Sequence, residues 1–159
     1  MTSTLTFPSE AAPAFPSISL ELPDTWAPFS PSGAVLAAGR ATEHGEFRPN
    51  VIVAVTRFDA DYTLQTAIDA LTLQVQLIDG VVELGRDELP VLGTDGFRIE
   101  FSYSDPRVGT LMQGVRLALL ANGPVVDLVQ ITATATGAQA ATLWGELRDV
   151  QSSAALTGS

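Results

Sequence analysis

The sequence has no cysteine and no lysine, and it holds a single histidine among its 159 residues. Without cysteine the chain cannot form disulfides, a thiolate nucleophile or the sulfur ligands of zinc and iron–sulfur sites. Without lysine, and with His44 as the sole imidazole, the usual pairs of nucleophile and general base are nearly exhausted. These absences predict a protein that is not an enzyme, with no catalytic residue, no cofactor and no metal site.

Positive charge is also scarce. Eighteen acidic residues outnumber eight arginines, and the formal net charge is −10. Binding to nucleic acid depends on cations that displace counterions from phosphates, and docking on anionic lipid needs basic residues as well. The charge balance therefore argues against a nucleic-acid partner and against electrostatic attachment to a membrane surface.

No run of about 18 apolar residues occurs, so we expect no direct insertion into a membrane. The segment Met1–Ala14 lacks the basic start and the continuous apolar stretch of a signal peptide, because Pro8 and Pro13 interrupt it. The expected location is therefore cytoplasmic. A chain from which a leader had been removed would look the same.

The composition is that of a folded protein, with 46% hydrophobic residues and a mean hydropathy of +0.25. The length predicts one domain with its own core. We expect a flexible N-terminal arm at residues 1–14, the domain at residues 15–151 and a flexible tail at residues 152–159.

Seven segments carry the alternation or the β-branched composition of strands. Pro23 ends the first strand, and a turn is expected to bury Trp26 against the core. A further turn is placed at Thr94–Gly96, between the fourth and fifth predicted strands. The predicted strands are Phe15–Leu22, Gly33–Ala41, Asn50–Phe58, Val81–Val91, Gly96–Tyr103, Thr110–Leu120 and Pro124–Thr134.

Two helices are predicted. The first is capped by Asp61 or Thr63 and shows an apolar stripe with helical spacing. The second begins with a capping box from Thr136 to Gln139. Its buried stripe includes Trp144. Since the later strands are joined by short connections, we expect antiparallel neighbours and the α+β class. The stripe of the first helix consists of Leu64, Ile68, Leu71, Val75 and Ile78.

The polar residues form no recognisable catalytic pattern. His44 lies between Glu43 and Glu46 in a predicted hairpin tip, where an exposed turn residue is more common than a general base. Asp59 and Asp61 can complement the dipole of the first helix, and they lack the rest of a calcium loop.

Two local patterns resemble a known family. One is the segment Phe15–Trp26, a strand that ends in Leu-Pro-x-x-Trp. The other is Arg48–Val55, where Pro-Asn enters an apolar strand that a long helix follows. Together with the strand order, they resemble the LpqN/LpqT proteins of high-GC bacteria, which belong to the PsbP-like superfamily. That superfamily also contains a Ran-binding nuclear-transport factor and bacterial effector chaperones.

The resemblance implies an α/β/α sandwich with a central, mostly antiparallel sheet of about seven strands and two main helices. It implies a binding, adaptor or chaperone role and offers no catalytic residues to carry over. The chain shows neither a leader nor the lipid-bearing cysteine of the lipoproteins, so a cytosolic relative is expected.

Two functions remain open. The first is a non-enzymatic adaptor or chaperone that binds a protein of unknown identity, or a second copy of itself as a homodimer, on a sheet face or an acidic surface. The second is a binder of a small apolar or lipid-like ligand, or a weak enzyme, with a cavity between sheet and helix. A deep closed pocket would favour the second and a shallow exposed face the first. The candidate binding surface is Met112, Arg116, Leu120, Val126 and Leu128.

Overall fold

The computed structural model describes residues 1–158. It contains two helices, α1 and α2, and nine strands. In chain order the elements are β1 (Ile18–Ser19), β2 (Trp26–Pro28), β3 (Leu36–Arg40), β4 (Asn50–Asp59), α1 (Leu64–Gln76), β5 (Val82–Val91), β6 (Thr94–Asp105), β7 (Gly109–Asn122), β8 (Val125–Thr136), α2 (Gly137–Ser152) and β9 (Ala155–Leu156).

Seven strands form one antiparallel sheet in the order β2-β3-β4-β8-β7-β6-β5. The four strands β5 to β8 follow one another as antiparallel hairpins, as the short connections predict. Strand β8 pairs with β4 and with β7, so it lies at the centre of the sheet. The α+β class and the antiparallel sheet of seven strands are confirmed.

The two faces of the sheet carry different layers. Helix α2 packs on one face, here called the α2 face, together with the N-terminal residues Ile18, Leu20 and Leu22. Helix α1 packs on β6 and β7 from the other side, here called the α1 face. This arrangement is the α/β/α sandwich that the family resemblance implies.

The helices begin where their capping residues predict. Thr63 accepts a hydrogen bond from the backbone N–H of Thr66 and caps α1, so Thr63 and not Asp61 is the cap. Thr136 and Gln139 form the complete capping box of α2. Leu71 and Val75 are buried on the side of α1 that faces the sheet. Trp144 and Leu147 are buried in the same way on α2.

The first predicted strand is the main error in the fold. Only Ile18–Ser19 of Phe15–Leu22 is a strand, and it pairs with β9 outside the large sheet. The seventh strand of the sheet is β2, which begins at the predicted turn residue Trp26. Trp26 is buried as expected, and its backbone N–H donates to the carbonyl of Pro23 at 2.9 Å. The alternation in Phe15–Leu22 indicated which side chains face the core, but it did not indicate which other strand the segment pairs with.

The turn between β5 and β6 is also displaced from its predicted position. The chain reverses at Leu92 and Gly93, whose φ values of +55° and +75° are those of a two-residue hairpin turn. The predicted turn residues Thr94–Gly96 lie inside β6 instead. Gly96 is needed there because a Cβ at this position would meet the side chain of Val91 at 2.5 Å.

The C-terminal residues make contacts that the predicted tail did not include. Ala155 and Leu156 pair with β1, and the N–H of Thr157 donates to the carbonyl of Ser17 at 2.9 Å. The end of the tail, Ser159, lies outside the described residues. The division into arm, domain and tail stays a prediction.

Candidate functional site

The structure does not bring the five predicted surface residues together. Alternation along β7 and β8 places Met112, Arg116 and Leu120 on the α2 face, and Val126 and Leu128 on the α1 face. Met112 and Leu120 pack on the core beneath α2, whereas Leu128 packs on the cluster beneath α1. One continuous surface therefore cannot contain all five, and Leu128 is the predicted residue that borders the uncovered sheet.

Part of the α1 face carries no helix. Helix α1 packs on β6 and β7, and it leaves β4 and β8 beside it uncovered. The side chains of β4 and β8 on this face lie in register across the sheet, and those in the middle of the two strands are partly or fully exposed. We call this surface the open face; it consists of Ile52, Ala54 and Thr56 of β4, Gln130 and Thr132 of β8, and Gln113 of β7.

The open face carries no ionisable side chain, although the protein as a whole has a net charge of −10. Its amide and hydroxyl groups bond locally: Gln113 Nε2 donates to Thr134 Oγ1 at 3.0 Å, and Gln130 Nε2 donates to Thr132 Oγ1 at 3.4 Å. A neutral surface of small and polar groups loses little on desolvation compared with a charged one. Such a surface suits contact with another macromolecule.

An aromatic pair lies at one end of the open face. Phe58, the last large residue of β4 on this side, stacks on Tyr62 with ring centroids 3.7 Å apart and planes within 3° of parallel. Val126 lies opposite Phe58 in β8 and is buried. The pair connects the open face to the start of α1 and fixes the edge between the covered and the uncovered sheet.

The α2 face holds a buried ionic network around Glu100, which is 5% exposed. Arg148 Nε donates to Glu100 Oε2 at 2.8 Å, and its Nη2 donates to Glu100 Oε1. Trp144 Nε1 donates to Glu100 Oε2 at 3.1 Å, and Arg98 Nη1 lies 3.3 Å from the same oxygen. Burial by itself would raise the pKa of Glu100, but the hydrogen bonds from Arg148 and Trp144 outweigh burial and lower the pKa.

A second ion pair on the α2 face holds the N-terminal segment. Asp127 is fully buried and accepts two hydrogen bonds from Arg57, at 2.8 and 3.1 Å, and one from Asn122 at 2.8 Å. The Arg57 guanidinium lies 4.3 Å from the ring centroid of Phe15, and Asn122 also donates to the carbonyl of Ala14. Despite burial, the hydrogen bonds from Arg57 and Asn122 lower the pKa of Asp127. Sequence reading missed this pair because its partners lie 70 residues apart.

Two clefts are large enough for a small ligand. One of about 600 Å³ lies between the N-terminal segment, the β7–β8 turn and the C-terminal segment, and Leu120 and Asp127 help to line it. Another of about 490 Å³ lies between α1 and the start of β6, lined by Leu64 and Glu88 among others. Both are open to solvent, and the carboxylate of Asp127 is already bonded to Arg57. The deep closed pocket that would favour a small ligand is not seen among residues 1–158.

The remaining candidates for chemistry are isolated. His44 and its neighbours Glu43 and Glu46 are exposed in a turn, as predicted. In the part of the chain that the structure describes, no group of three or more histidine, aspartate or glutamate side chains is arranged to hold a metal ion. Asp61 lies in the turn before α1 and does not cap it.

The sandwich is that of the PsbP-like proteins. The structure of cyanobacterial PsbP from Synechocystis matches it with a TM-score of 0.60 and 13% identity, over 91% of this chain and 95% of that chain. The Ran-binding protein Mog1p of Saccharomyces cerevisiae matches with a TM-score of 0.50 and 15% identity, over 85% of this chain and 87% of that chain. At these identities the likeness shows the fold.

The chain belongs to the LpqN family. The sequence profile of the family described as "Probable lipoprotein LpqN" matches residues 5–157. The structure of LpqN of Mycobacterium tuberculosis, described as involved in cell envelope biogenesis, matches with a TM-score of 0.78 and 16% identity, over 92% of this chain and 86% of that chain. Among curated proteins, none matches the chain. The predicted family resemblance is confirmed.

The expected cytoplasmic location is wrong. The family to which the chain belongs is described as lipoproteins, and the LpqN of similar structure is described as a protein of cell envelope biogenesis. Within the described residues, neither helix has the length and apolar character needed to cross a membrane. The expectation failed because it rested on the absence of a leader and of a cysteine, and a chain without its leader would look the same.

Proposed function

We propose that the protein is a non-enzymatic binding protein of the cell envelope, and that it binds a protein partner through the open face. The main observation behind this proposal is that the helices cover the two faces of the sheet unequally. Helix α2 and the N-terminal residues cover one face, whereas α1 covers only β6 and β7 of the other. A central part of the sheet, around Thr56 and Thr132, is thus available to another molecule.

The comparisons support a binding role. Mog1p, which has the same fold, is described as a Ran-binding protein, so this sandwich can carry a protein-binding surface. The envelope location follows the lipoprotein description of the family and the role described for the LpqN of Mycobacterium tuberculosis. None of these similar proteins identifies the partner of this chain.

The charge distribution indicates the chemistry of the partner. The open face is neutral, so its contacts are hydrogen bonds and van der Waals packing, which depend little on salt. The surrounding surface belongs to a chain with a net charge of −10 and attracts a partner with Arg or Lys around its own contact area. We therefore expect the association rate to fall as ionic strength rises, while the dissociation rate changes less.

A small-ligand function is the second candidate, because the cleft of about 600 Å³ beside Leu120 and Asp127 lies in the size range of ligand sites. It ranks below the protein-binding function because the cleft is open and its buried carboxylate is occupied by Arg57. The two differ in where a substitution acts, since Leu120 lies on the α2 face and Thr56 on the α1 face.

The test compares three variants of equal added size and charge in a quantitative pull-down from cell-envelope extract. Thr56→Arg and Thr132→Arg place a long charged side chain on the open face. Thr142→Arg does the same on the exposed side of α2 and serves as the control. The proposal predicts proteins that the wild type and T142R enrich equally and that T56R and T132R both lose.

Equal enrichment by all variants would contradict the open face as the binding surface. Loss caused by Leu120→Arg alone would move the site to the cleft and support the second candidate. A homodimer through the open face would show in light scattering as a dimer that T132R converts to a monomer and that T142R leaves intact.

A further inference from the structure

Three of the eight arginines gather on the α2 face near the end of α2. Arg98 and Arg116 are direct cross-strand partners in β6 and β7, and Arg148 reaches the same area from α2. Directly opposite side chains on one sheet face have Cβ atoms about 5 Å apart, and like charges in that position destabilise a sheet. A pair of arginines here needs anions to compensate it.

The carboxylates nearby are already engaged. Glu100 accepts hydrogen bonds from Arg148 and Trp144 and lies beside Arg98. Asp87 Oδ2 lies 2.5 Å from Arg98 Nη2. No carboxylate of residues 1–158 lies within salt-bridge distance of Arg116.

Arg116 is therefore a buried cation with an incomplete set of partners. It is 7% exposed, and its side chain makes one hydrogen bond, from Nη1 to Ser152 Oγ at 2.8 Å. In the described chain the fully buried side-chain atoms without a partner are Trp26 Nε1 and Gln151 Oε1, so the free donors of Arg116 reach solvent. Burial, and after it the charge of Arg98, lowers the pKa of Arg116, and attraction to Glu100 offsets this only in part.

The local charge balance defines the missing anion. Three guanidinium groups face the two carboxylates of Glu100 and Asp87, which leaves one positive charge in excess inside a protein of net charge −10. One monovalent anion neutralises that excess, whereas a phosphate dianion would reverse it. Guanidinium donors match the two oxygens of a carboxylate in spacing and direction.

We propose that Arg116 and Arg98, with Ser152 beside them, form a binding site for the carboxylate group of a ligand. The site lies on the α2 face, opposite the open face, and is independent of the proposed protein-binding surface. Its donors are the Nε and Nη2 groups of Arg116 and the N–H groups of Arg98 that Glu100 and Asp87 leave free. Ser152 holds Arg116 in place by accepting from Nη1.

The test is a titration of the ¹⁵N-labelled protein with sodium acetate, observed at the arginine Nε–Hε resonances at constant ionic strength. Arg40, which is paired with Glu146 at 2.9 Å on the surface, is an internal control in the same sample. We expect saturable shifts at Arg116 and Arg98 with a dissociation constant in the millimolar range, as befits so small a ligand. Arg40 should not respond, and chloride should produce no saturable change at any of the three.

Two further arms define the ligand. Inorganic phosphate at the same ionic strength should bind more weakly than acetate, and equal or tighter binding would overturn the carboxylate assignment. A tripeptide with a free C-terminus, compared with its amidated form, shows whether the site also takes a polypeptide carboxylate or is limited to small acids.

Arg116→Gln should abolish the saturable shift at Arg98, while Arg40→Gln should leave it unchanged. The titration of the wild-type protein decides the question even if R116Q does not fold. Absence of a saturable acetate shift at Arg116 would overturn the proposal and leave Arg116 as a cation that only stabilises the last turn of α2.

Discussion

The two faces of the sheet differ in what their residues do. On the α2 face, apolar side chains from six strands of the large sheet, α2 and the N-terminal segment form one cluster. The buried carboxylates of this face, Glu100 and Asp127, are paired with arginines. On the α1 face, a smaller cluster lies beneath α1, and the sheet beside it is neutral and uncovered. We therefore expect most of the stability to come from the α2 face, while the open face is available for the proposed binding. Substitutions on the two faces should therefore change different quantities.

The largest effect on stability is expected from Trp26→Ala. Trp26 is 6% exposed and packs in the cluster of the α2 face. Truncation of a buried aromatic residue removes its apolar contacts and leaves a cavity, so the free energy of unfolding should fall by about 3–5 kcal/mol. Leu77→Ala, at a residue that is 75% exposed, is the matched control and should change it by less than about 0.5 kcal/mol. A loss below about 1 kcal/mol for W26A in denaturant melts would mean that Trp26 does not seal the core.

Glu100→Gln should have the next largest effect. The substitution keeps the shape but removes the charge that Arg148 and Arg98 compensate, so it leaves cations without their partner in a buried site. We expect a loss of about 2–3 kcal/mol, less than for a fully buried pair because Arg148 is partly exposed. Glu83→Gln breaks the exposed pair with Arg86 and should cost under about 1 kcal/mol. Equal losses for the two variants would show that the network on the α2 face is not a special source of stability.

The pH dependence of the unfolding free energy should reflect the ion pairs of Glu100 and Asp127. The folded-state pKa values of Glu100 and Asp127 are lowered, so the unfolded state binds more protons in acid. The stabilising contribution is therefore fully present above about pH 5, where both carboxylates are ionised in the unfolded chain too, and is lost as pH falls through the lowered values. Denaturant melts from pH 7 to pH 2 should show this loss. Asp127→Asn should make the dependence less steep, and an unchanged slope in D127N would contradict the ion pair with Arg57.

The smallest effect on stability is expected on the open face. Thr56 is exposed in β4 and Thr132 partly exposed in β8, and neither bonds to a distant element in a way that folding requires. T56R and T132R should shift the unfolding free energy by no more than about 0.5 kcal/mol, as should T142R, while they abolish partner binding. A large destabilisation by T132R would mean that this part of the sheet is covered in the folded chain.

The sequence predicted those parts of the fold that are set by local chemistry. The capping box at Thr136 and the stripe through Leu71 and Val75 are short-range patterns, and the helices lie where they indicate. The buried turn at Trp26 was also recognised. Strand partners were harder, since Ile18 and Ser19 alternate like sheet residues and yet pair with β9. Pairing depends on contacts between distant parts of the chain, which alternation does not encode.

The candidate site was predicted only in outline. A binding surface on a sheet face was expected, and one face of the sheet is incompletely covered, but Arg116 and Leu120 lie on the opposite face from Leu128. A shift of one position along a strand moves a side chain to the other face, so a list of apolar residues from two adjacent strands mixes both faces unless the register is known. The sequence did not mark the neutral residues of the open face, such as Thr132, as a candidate surface, because they carry no charge and little hydrophobicity.

Site-specific photo-crosslinking in cells that contain the native partner tests the open face most directly. The photoreactive residue p-benzoylphenylalanine is placed at Thr56 on the open face or at Thr142 on α2, both of which are exposed. If the open face binds the partner, position 56 gives a discrete adduct of higher mass and position 142 does not. An adduct from position 142 alone, or the same pattern from both positions, would contradict the assignment of binding to the open face.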